Sequence, residues 1–178
     1  MNNSLKILFD EHEIISEAVQ LAQDAKYLIG KDNEQFKLVI RELLVFFRIY
    51  ADEYHHHKEE KILFPEMMKK NELLADGVIK EMFDNHAYFR ELLQVVALDM
   101  EQQNFTGASS KIDEYSEALL DHIAVENEEL FQSADSLFTD SELELLHYRF
   151  VDLDEDMGGT QKKDLAEKIR QLKINSIV

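Results

Sequence analysis

Two short sequence phrases each occur twice in this 178-residue chain. The first phrase, LFDEH at residues 8–12, recurs as MFDNH at residues 82–86. The second phrase is a His followed four residues later by Glu and eight residues later by Leu-Phe, and it occupies residues 55–64 and 122–131. The chain therefore reads as two copies of one unit, in which a helix with one His precedes a helix with His and Glu one turn apart.

The chain is poor in the residues that interrupt helices. Only five Gly and one Pro occur in it, whereas a β-rich fold needs many turns. The absence of Cys excludes disulfides, Cys-zinc sites and iron–sulfur clusters in this chain. Composition therefore predicts an all-α protein without sulfur chemistry at cysteine.

Charge and hydropathy narrow the partners that we expect. A net charge of −18 disfavours nucleic-acid binding, which needs a concentrated basic surface. The sequence contains no run of about 18 apolar residues, so we expect no transmembrane helix. The first residues lack the basic and apolar segments of a signal peptide. We expect a cytoplasmic protein that binds neither nucleic acid nor membranes.

Apolar residues at helical spacing predict four long helices. They cover about residues 4–29, 33–70, 76–103 and 109–136, with Pro65 expected to kink or weaken the second. Short connections between long helices favour an up-down-up-down four-helix bundle. In that arrangement the four helices bring their His residues together, at one end of the bundle.

The remaining residues predict two additional C-terminal helices. Thr139-x-x-Glu142 has the pattern of a capping box, and Gly158-Gly159 separates the first of these helices from a basic second one. We therefore divide the chain into a bundle, residues 1–138, and a helical extension, residues 139–178. The sequence is compatible with an extension that packs over the bundle and with one that mediates self-association, including a homodimer.

The repeated phrases contain six candidate metal ligands: His12, His55, Glu59, His86, His122 and Glu126. His and Glu at positions i and i+4 point from the same helix face, so an imidazole can bind one metal ion while the carboxylate bridges to a second. Buried imidazoles and carboxylates are costly unless they are paired or coordinate a metal. The competing interpretation is a set of hydrogen-bonded core residues in a metal-free helical interaction module.

The run His55-His56-His57 leaves the ligand register open, because His56 and Glu60 have the same spacing as His55 and Glu59. We prefer His55 and Glu59, whose offset to the following Leu-Phe matches that of the second copy. His56 and Glu60 are then alternative ligands or hydrogen-bond partners of the ligands. Tyr54 and Tyr88 are further candidates for such hydrogen bonds.

These residues make the chain similar to the hemerythrin-like, HHE cation-binding family over about residues 5–135. The resemblance lies in His12, the stretch HHHKEEKILFP at residues 55–65, His86, and the stretch HIAVE at residues 122–126. It implies a four-helix bundle around a non-haem di-iron centre with an oxo or hydroxo bridge. By the same resemblance, Glu59 and Glu126 bridge the two irons and the four His residues are terminal ligands.

One position departs from the oxygen-carrying members of that family, which have a fifth His one turn from the first on the third helix. Met82 and Arg90 stand one turn from His86 here. The set of four imidazoles resembles the bacterial subgroup associated with repair of iron centres after nitrosative stress, although the Cys-containing N-terminal domain common in that group is absent from this sequence.

A site of four imidazoles and two carboxylates leaves an open coordination position for dioxygen, nitric oxide, peroxide or water. Imidazole and carboxylate ligands suit iron, manganese or zinc, so the ligand types alone do not select the metal. The resemblance implies two iron ions, with manganese and zinc as possible substitutes. Our first interpretation is a di-iron protein that binds or senses a diatomic ligand or handles iron. The alternatives are a di-iron enzyme of nitrosative or oxidative stress defence or iron-centre repair, and the metal-free module.

Overall fold

The structure is a computed structural model that describes residues 3–172, and no β-strand occurs among them. The α-helices are α1 (Lys6–Ala25), α2 (Asn33–Phe46), α3 (Phe64–Lys70), α4 (Val78–Glu101), α5 (Phe105–Val125), α6 (Phe131–Leu137), α7 (Asp140–Asp156) and α8 (Gly159–Gln171). Short 3-10 turns cover Asn3–Leu5, Lys26–Leu28 and Glu72–Leu74. The all-α fold is thereby confirmed for the described residues.

Three π-helical segments join α-helices end to end. The segments Phe47–His56 and Glu59–Leu63 connect α2 to α3, and the segment Glu126–Leu130 connects α5 to α6. Pro65 lies in the first turn of α3, where its missing N–H is tolerated without a break in the helix. The bundle therefore consists of four long helices, at residues 3–28, 33–70, 78–101 and 105–137.

Polar caps determine where several helices begin. Asp32 accepts a hydrogen bond from the Gln35 amide at 2.9 Å, and Asn104 accepts one from the Gly107 amide at 3.2 Å. Such caps satisfy amides that have no partner within the first turn of a helix. The predicted capping box of α7 is present, with Thr139 and Glu142 bonded in both directions.

The apolar core consists of two clusters. One contains Ile15, Ala51, Phe89 and Leu119 among its members, and the other contains Leu8, Ile62, Met82 and Leu130. Each long helix contributes to both clusters, and its candidate ligands lie at the boundary between the two contributions in sequence. The candidate ligands thus occupy a polar layer between two apolar layers, and not one end of the bundle as the sequence pattern suggested.

The helices α4 and α5 run in opposite directions, because later residues of α4 contact earlier residues of α5. His86 faces His122, and the ring of Phe89 lies 5.7 Å from that of Tyr115. These two helices are therefore antiparallel neighbours. The complete up-down-up-down order of the four helices stays a prediction.

The extension packs against the bundle. From α7, Leu143, Leu146 and Phe150 join the second apolar cluster, and from α8, Ala166 and Ile169 join the first. The boundary at residue 138 and self-association stay predictions. No helix among residues 3–172 has both the length and the apolar character needed to cross a membrane.

The capping box makes a prediction about stability. The substitution Thr139→Ala removes the side-chain acceptor at the start of α7, so we expect the free energy of unfolding to fall by about 1 kcal/mol. Urea denaturation followed by circular dichroism measures the change. Ser141→Ala, two residues further along in the same exposed first turn, is the matched control. An effect no larger than that of the control would contradict the role of the cap.

Candidate metal centre

Seven buried side chains from all four long helices converge in the polar layer. One group contains His56, Glu59, His86 and His122, and the other contains His12, His55, Glu59 and Glu126. Within each group the candidate ligand atoms all lie within 4.8 Å of one another. No member of either group is more than 2 % exposed. Since Glu59 belongs to both groups, the two groups share one carboxylate.

Both carboxylates lie between imidazoles of the two groups. The two oxygens of Glu59 are each 3.6 Å from a ring nitrogen, Oε1 from Nε2 of His55 and Oε2 from Nε2 of His86. Oε2 of Glu126 is 3.2 Å from Nε2 of His12 and 3.2 Å from Nε2 of His122. Glu59 and Glu126 are thus placed to bridge two cations.

Most of the inward atoms of this cluster lack hydrogen-bond partners, apart from Nε2 of His86 and Nε2 of His122, which lie 3.1 Å from each other. Nε2 of His12, His55 and His56 and both carboxylate oxygens of Glu59 and Glu126 are buried without one. Buried polar groups are almost always paired, and an uncompensated buried carboxylate is especially costly. Two cations among these atoms would satisfy them, and imidazole with carboxylate suits iron, manganese or zinc. The donor set therefore fits a two-metal centre.

The outer nitrogen of each imidazole faces a polar partner. Nδ1 of His55 is 2.8 Å from Glu11, that of His86 is 2.8 Å from Glu60, and that of His56 is 3.3 Å from Asp52. Nδ1 of His12 is 2.8 Å from the Asn127 side-chain oxygen, and that of His122 is 3.4 Å from the Asn85 amide. An oxygen acceptor at Nδ1 holds the proton there and directs the Nε2 lone pair inward. Four of the five rings are held in this way by an oxygen.

The site favours the neutral form of the imidazoles of His55 and His56. Burial, reinforced by the nearby His12, lowers the pKa of His55 to about 4. Burial and neighbouring His86 hold the pKa of His56 well below its usual range. Burial, together with the charge of Glu126, holds the pKa of Glu59 well above its usual range. Neutral imidazole is the form that binds a metal, and the crowding of two carboxylates is relieved by cations.

Charged residues around the site fix the carboxylates that hold the rings. The Arg90 guanidinium donates to Asp52 through Nε at 2.8 Å and to Glu60 through Nη2 at 2.8 Å. These are the acceptors of His56 and His86, so one cation supports two rings. Lys58 and Lys162 bind Glu11, the acceptor of His55, in the corresponding way.

Residues 3–134 match the family model described as Hemerythrin HHE cation binding domain. The chain belongs to this family. All seven clustered residues lie within the hemerythrin domain, whereas α7 and α8 lie beyond the matched residues. No curated protein and no solved structure matches the chain. The resemblance inferred from the repeated phrases is thereby confirmed at the level of the family.

The six predicted ligands of the hemerythrin domain come together, and His56 joins them. The sequence pattern treated His55 and His56 as alternatives, but the structure places both among the inward groups, with Glu59 and not Glu60 between them. The sequence left His56 as an alternative ligand or a hydrogen-bond partner of the ligands; its ring lies within one of the two inward groups, and its role as a ligand stays a prediction. Adjacent residues diverge by about 100° on an α-helix, and this spacing argues against two neighbouring ligands. The π-helical turn that contains both His residues changes that geometry.

The predicted hydrogen-bond partners divide into one that faces the site and two that do not. Glu60, which the sequence left as an alternative ligand or a hydrogen-bond partner, meets Nδ1 of His86 at 2.8 Å. Tyr54 instead donates its hydroxyl to the carbonyl oxygens of Met157 and Gly158, at 2.9 and 2.8 Å. Tyr88 is 38 % exposed and bonds to Glu114 on the surface. Neither tyrosine therefore bonds to a candidate ligand: the Tyr54 hydroxyl contacts the turn between α7 and α8, and that of Tyr88 contacts the neighbouring helix α5.

The position of Arg90 predicts an effect on metal affinity. Arg90→Met leaves Asp52 and Glu60 without their shared cation, so the rings of His56 and His86 lose their fixed orientation. We expect the metal affinity to fall at least about tenfold, as measured by competition with a chromophoric chelator. Arg48→Met, at an exposed position of the same π-helical segment as Asp52, is the control. Equal affinities of the two variants would contradict this role.

Proposed function

We propose that this chain is a non-haem di-iron protein of hemerythrin type that binds or senses dioxygen or nitric oxide, or handles iron. The observation that carries the proposal is the convergence of seven buried inward side chains whose carboxylate oxygens and three of whose imidazole nitrogens have no hydrogen-bond partner. Membership of a cation-binding family supports it independently.

The grouping of the ligands supports two inequivalent metal positions. His56, His86 and His122 would hold one ion, and His12 and His55 would hold the other. Glu59 and Glu126, each near imidazoles of both groups, would bridge them. The position with two imidazoles has one protein ligand fewer, so it is the one at which we place the open coordination position.

The surroundings of the site favour a small ligand. The ring of Phe131 stacks on His12 at 5.5 Å, and the ring of Phe89 meets His122 edge-on at 5.2 Å. Apolar clusters lie on both sides of the polar layer. When bound, a ferrous pair would supply electrons and Lewis acidity to a diatomic molecule, and the surrounding side chains exclude water and larger molecules.

The two alternatives have weaker support. An enzyme of stress defence or iron-centre repair needs a group that delivers protons, but Glu60 is bound by Arg90 and His86, and Tyr54 and Tyr88 are engaged elsewhere. A metal-free interaction module would leave the buried inward atoms unsatisfied.

Loading with metal tests the proposal. Anaerobic addition of ferrous iron to the chain is expected to give about two irons per chain by elemental analysis, since the cluster contains two groups of ligands. Because the ions bind the native state, chelation should lower the melting temperature. Uptake of no iron, with a melting temperature indifferent to chelators, would overturn the proposal in favour of the interaction module.

The same loaded protein distinguishes binding from catalysis. Reversible changes in its charge-transfer spectrum with dioxygen or nitric oxide would support a binding protein. Sustained turnover of peroxide or nitric oxide, lost in Glu59→Ala, would support the enzyme.

The run of three His residues offers a matched comparison. His56→Ala removes one imidazole from the three-imidazole group, so we expect iron content to fall toward one per chain. His57→Ala, which changes the neighbouring residue outside both groups, should retain the iron content of the parent. Equal loss of iron in the two variants would contradict the assignment of His56 as a ligand.

A further inference from the structure

The C-terminal extension reaches the metal centre through a buried cluster of four charges. Glu11 of α1, Lys58, Asp154 of α7 and Lys162 of α8 form this cluster. Lys58 is 0 % exposed, and its ammonium lies 2.9 Å from Oε1 of Glu11. Lys162 bonds to both carboxylates, Glu11 and Asp154. Two lysines thus balance two carboxylates, and half of the cluster comes from the extension.

The carboxylate of Glu11 connects this cluster to a ligand. Its Oε2 accepts the hydrogen bond from Nδ1 of His55 at 2.8 Å, whereas its Oε1 faces the two lysines. The orientation of the His55 ring therefore depends on Glu11, and the position of Glu11 depends on Lys58 and Lys162. Partners of this kind, one step beyond the ligands, orient the ligand rings of metal sites.

A second contact fixes the turn between α7 and α8. The Tyr54 hydroxyl, from the residue before His55, bonds to the carbonyl oxygens of Met157 and Gly158. Lys58 also donates to the carbonyl oxygen of Tyr54 at 2.8 Å. The extension is thus bound to the same π-helical turn that carries His55 and His56.

The other metal position is supported without the extension. The rings of His56 and His86 are held by Asp52 and Glu60, which Arg90 of α4 binds from within the bundle. The partner of His12 is Asn127, also within the bundle. The extension therefore acts on one ring of the two-imidazole position, where the open coordination position is proposed.

We propose that Lys162 is a positioning residue of the metal centre, through which the C-terminal extension orients His55 by way of Glu11 and controls retention of the ion held by His12 and His55. This inference rests on the proposed two-metal function and adds a role for residues outside the family domain. The extension then stabilises the binding of metal at one of the two positions.

The test compares lysine variants in the full chain loaded with iron-57. Lys162→Met is expected to release one of its two irons to a ferrous chelator at least about tenfold faster than the parent, with the second iron unchanged. The Mössbauer signal of one iron should change, and Arg90→Met should change the signal of the other. Lys162→Arg, which keeps the charge, should restore most of the parent behaviour.

Lys163→Met is the matched control. Lys162 and Lys163 both line a cavity of about 510 Å³ beside α8, but Lys163 lies outside the four-charge cluster. It should release both irons as the parent does. The melting temperature of each metal-free variant shows whether Lys162 acts only on the stability of the fold.

Two results would overturn the inference while leaving the proposed function intact. One is a Lys162→Met protein with parental release rates and spectra. The other is a Lys162→Met protein that releases both irons faster by the same factor and whose metal-free form has a lower melting temperature than the parent. A parent that takes up no iron would instead overturn the proposed function, and this inference with it.

Discussion

Two buried carboxylates impose the main constraint on this molecule. Glu59 and Glu126 are fully buried at the centre of the bundle, where burial without compensation is among the most costly arrangements for an ionisable group. Five imidazoles surround them, and burial lowers the pKa values of three of these rings, His55, His56 and His86. Cations are the compensation that fits both kinds of ligand. The rest of the bundle can be understood as the means of bringing seven such groups together.

Successive layers of interactions hold these groups in place. The inner layer has Nε2 atoms and carboxylate oxygens directed at the centre. The next layer contains the acceptors of the Nδ1 protons, and the outer layer contains cations that fix those acceptors, Arg90 on one side and Lys58 with Lys162 on the other. A ring whose outer nitrogen is engaged keeps its tautomer and orientation. The two sides differ in origin, since one is built within the family domain and the other includes the extension.

The π-helical segments contain four of the seven candidate ligands. His55, His56, Glu59 and Glu126 all lie in such segments, and π-helical turns in α-helices are frequently found at functional sites. The wider turn allows two consecutive His residues to face the centre, so the second long helix supplies the fifth imidazole. In the oxygen-carrying relatives described above, that imidazole belongs to the third helix. Here Arg90 occupies a position one turn from His86 and supports the site from outside.

The sequence by itself determined the helical class, the family and the convergence of six of the seven side chains. These properties follow from local periodicity and from a repeated spacing, which are visible in a linear pattern. Only the tertiary structure decided that His55 and His56 both face inward, because that depends on the hydrogen bonding of one helical turn. It also decided the contacts of Tyr54 and Glu11 with the extension, because Met157, Gly158 and Lys162 are more than 100 residues away from Tyr54 or Glu11 in the chain. Long-range packing, which residue spacing does not encode, makes the C-terminal helices part of the surroundings of the site.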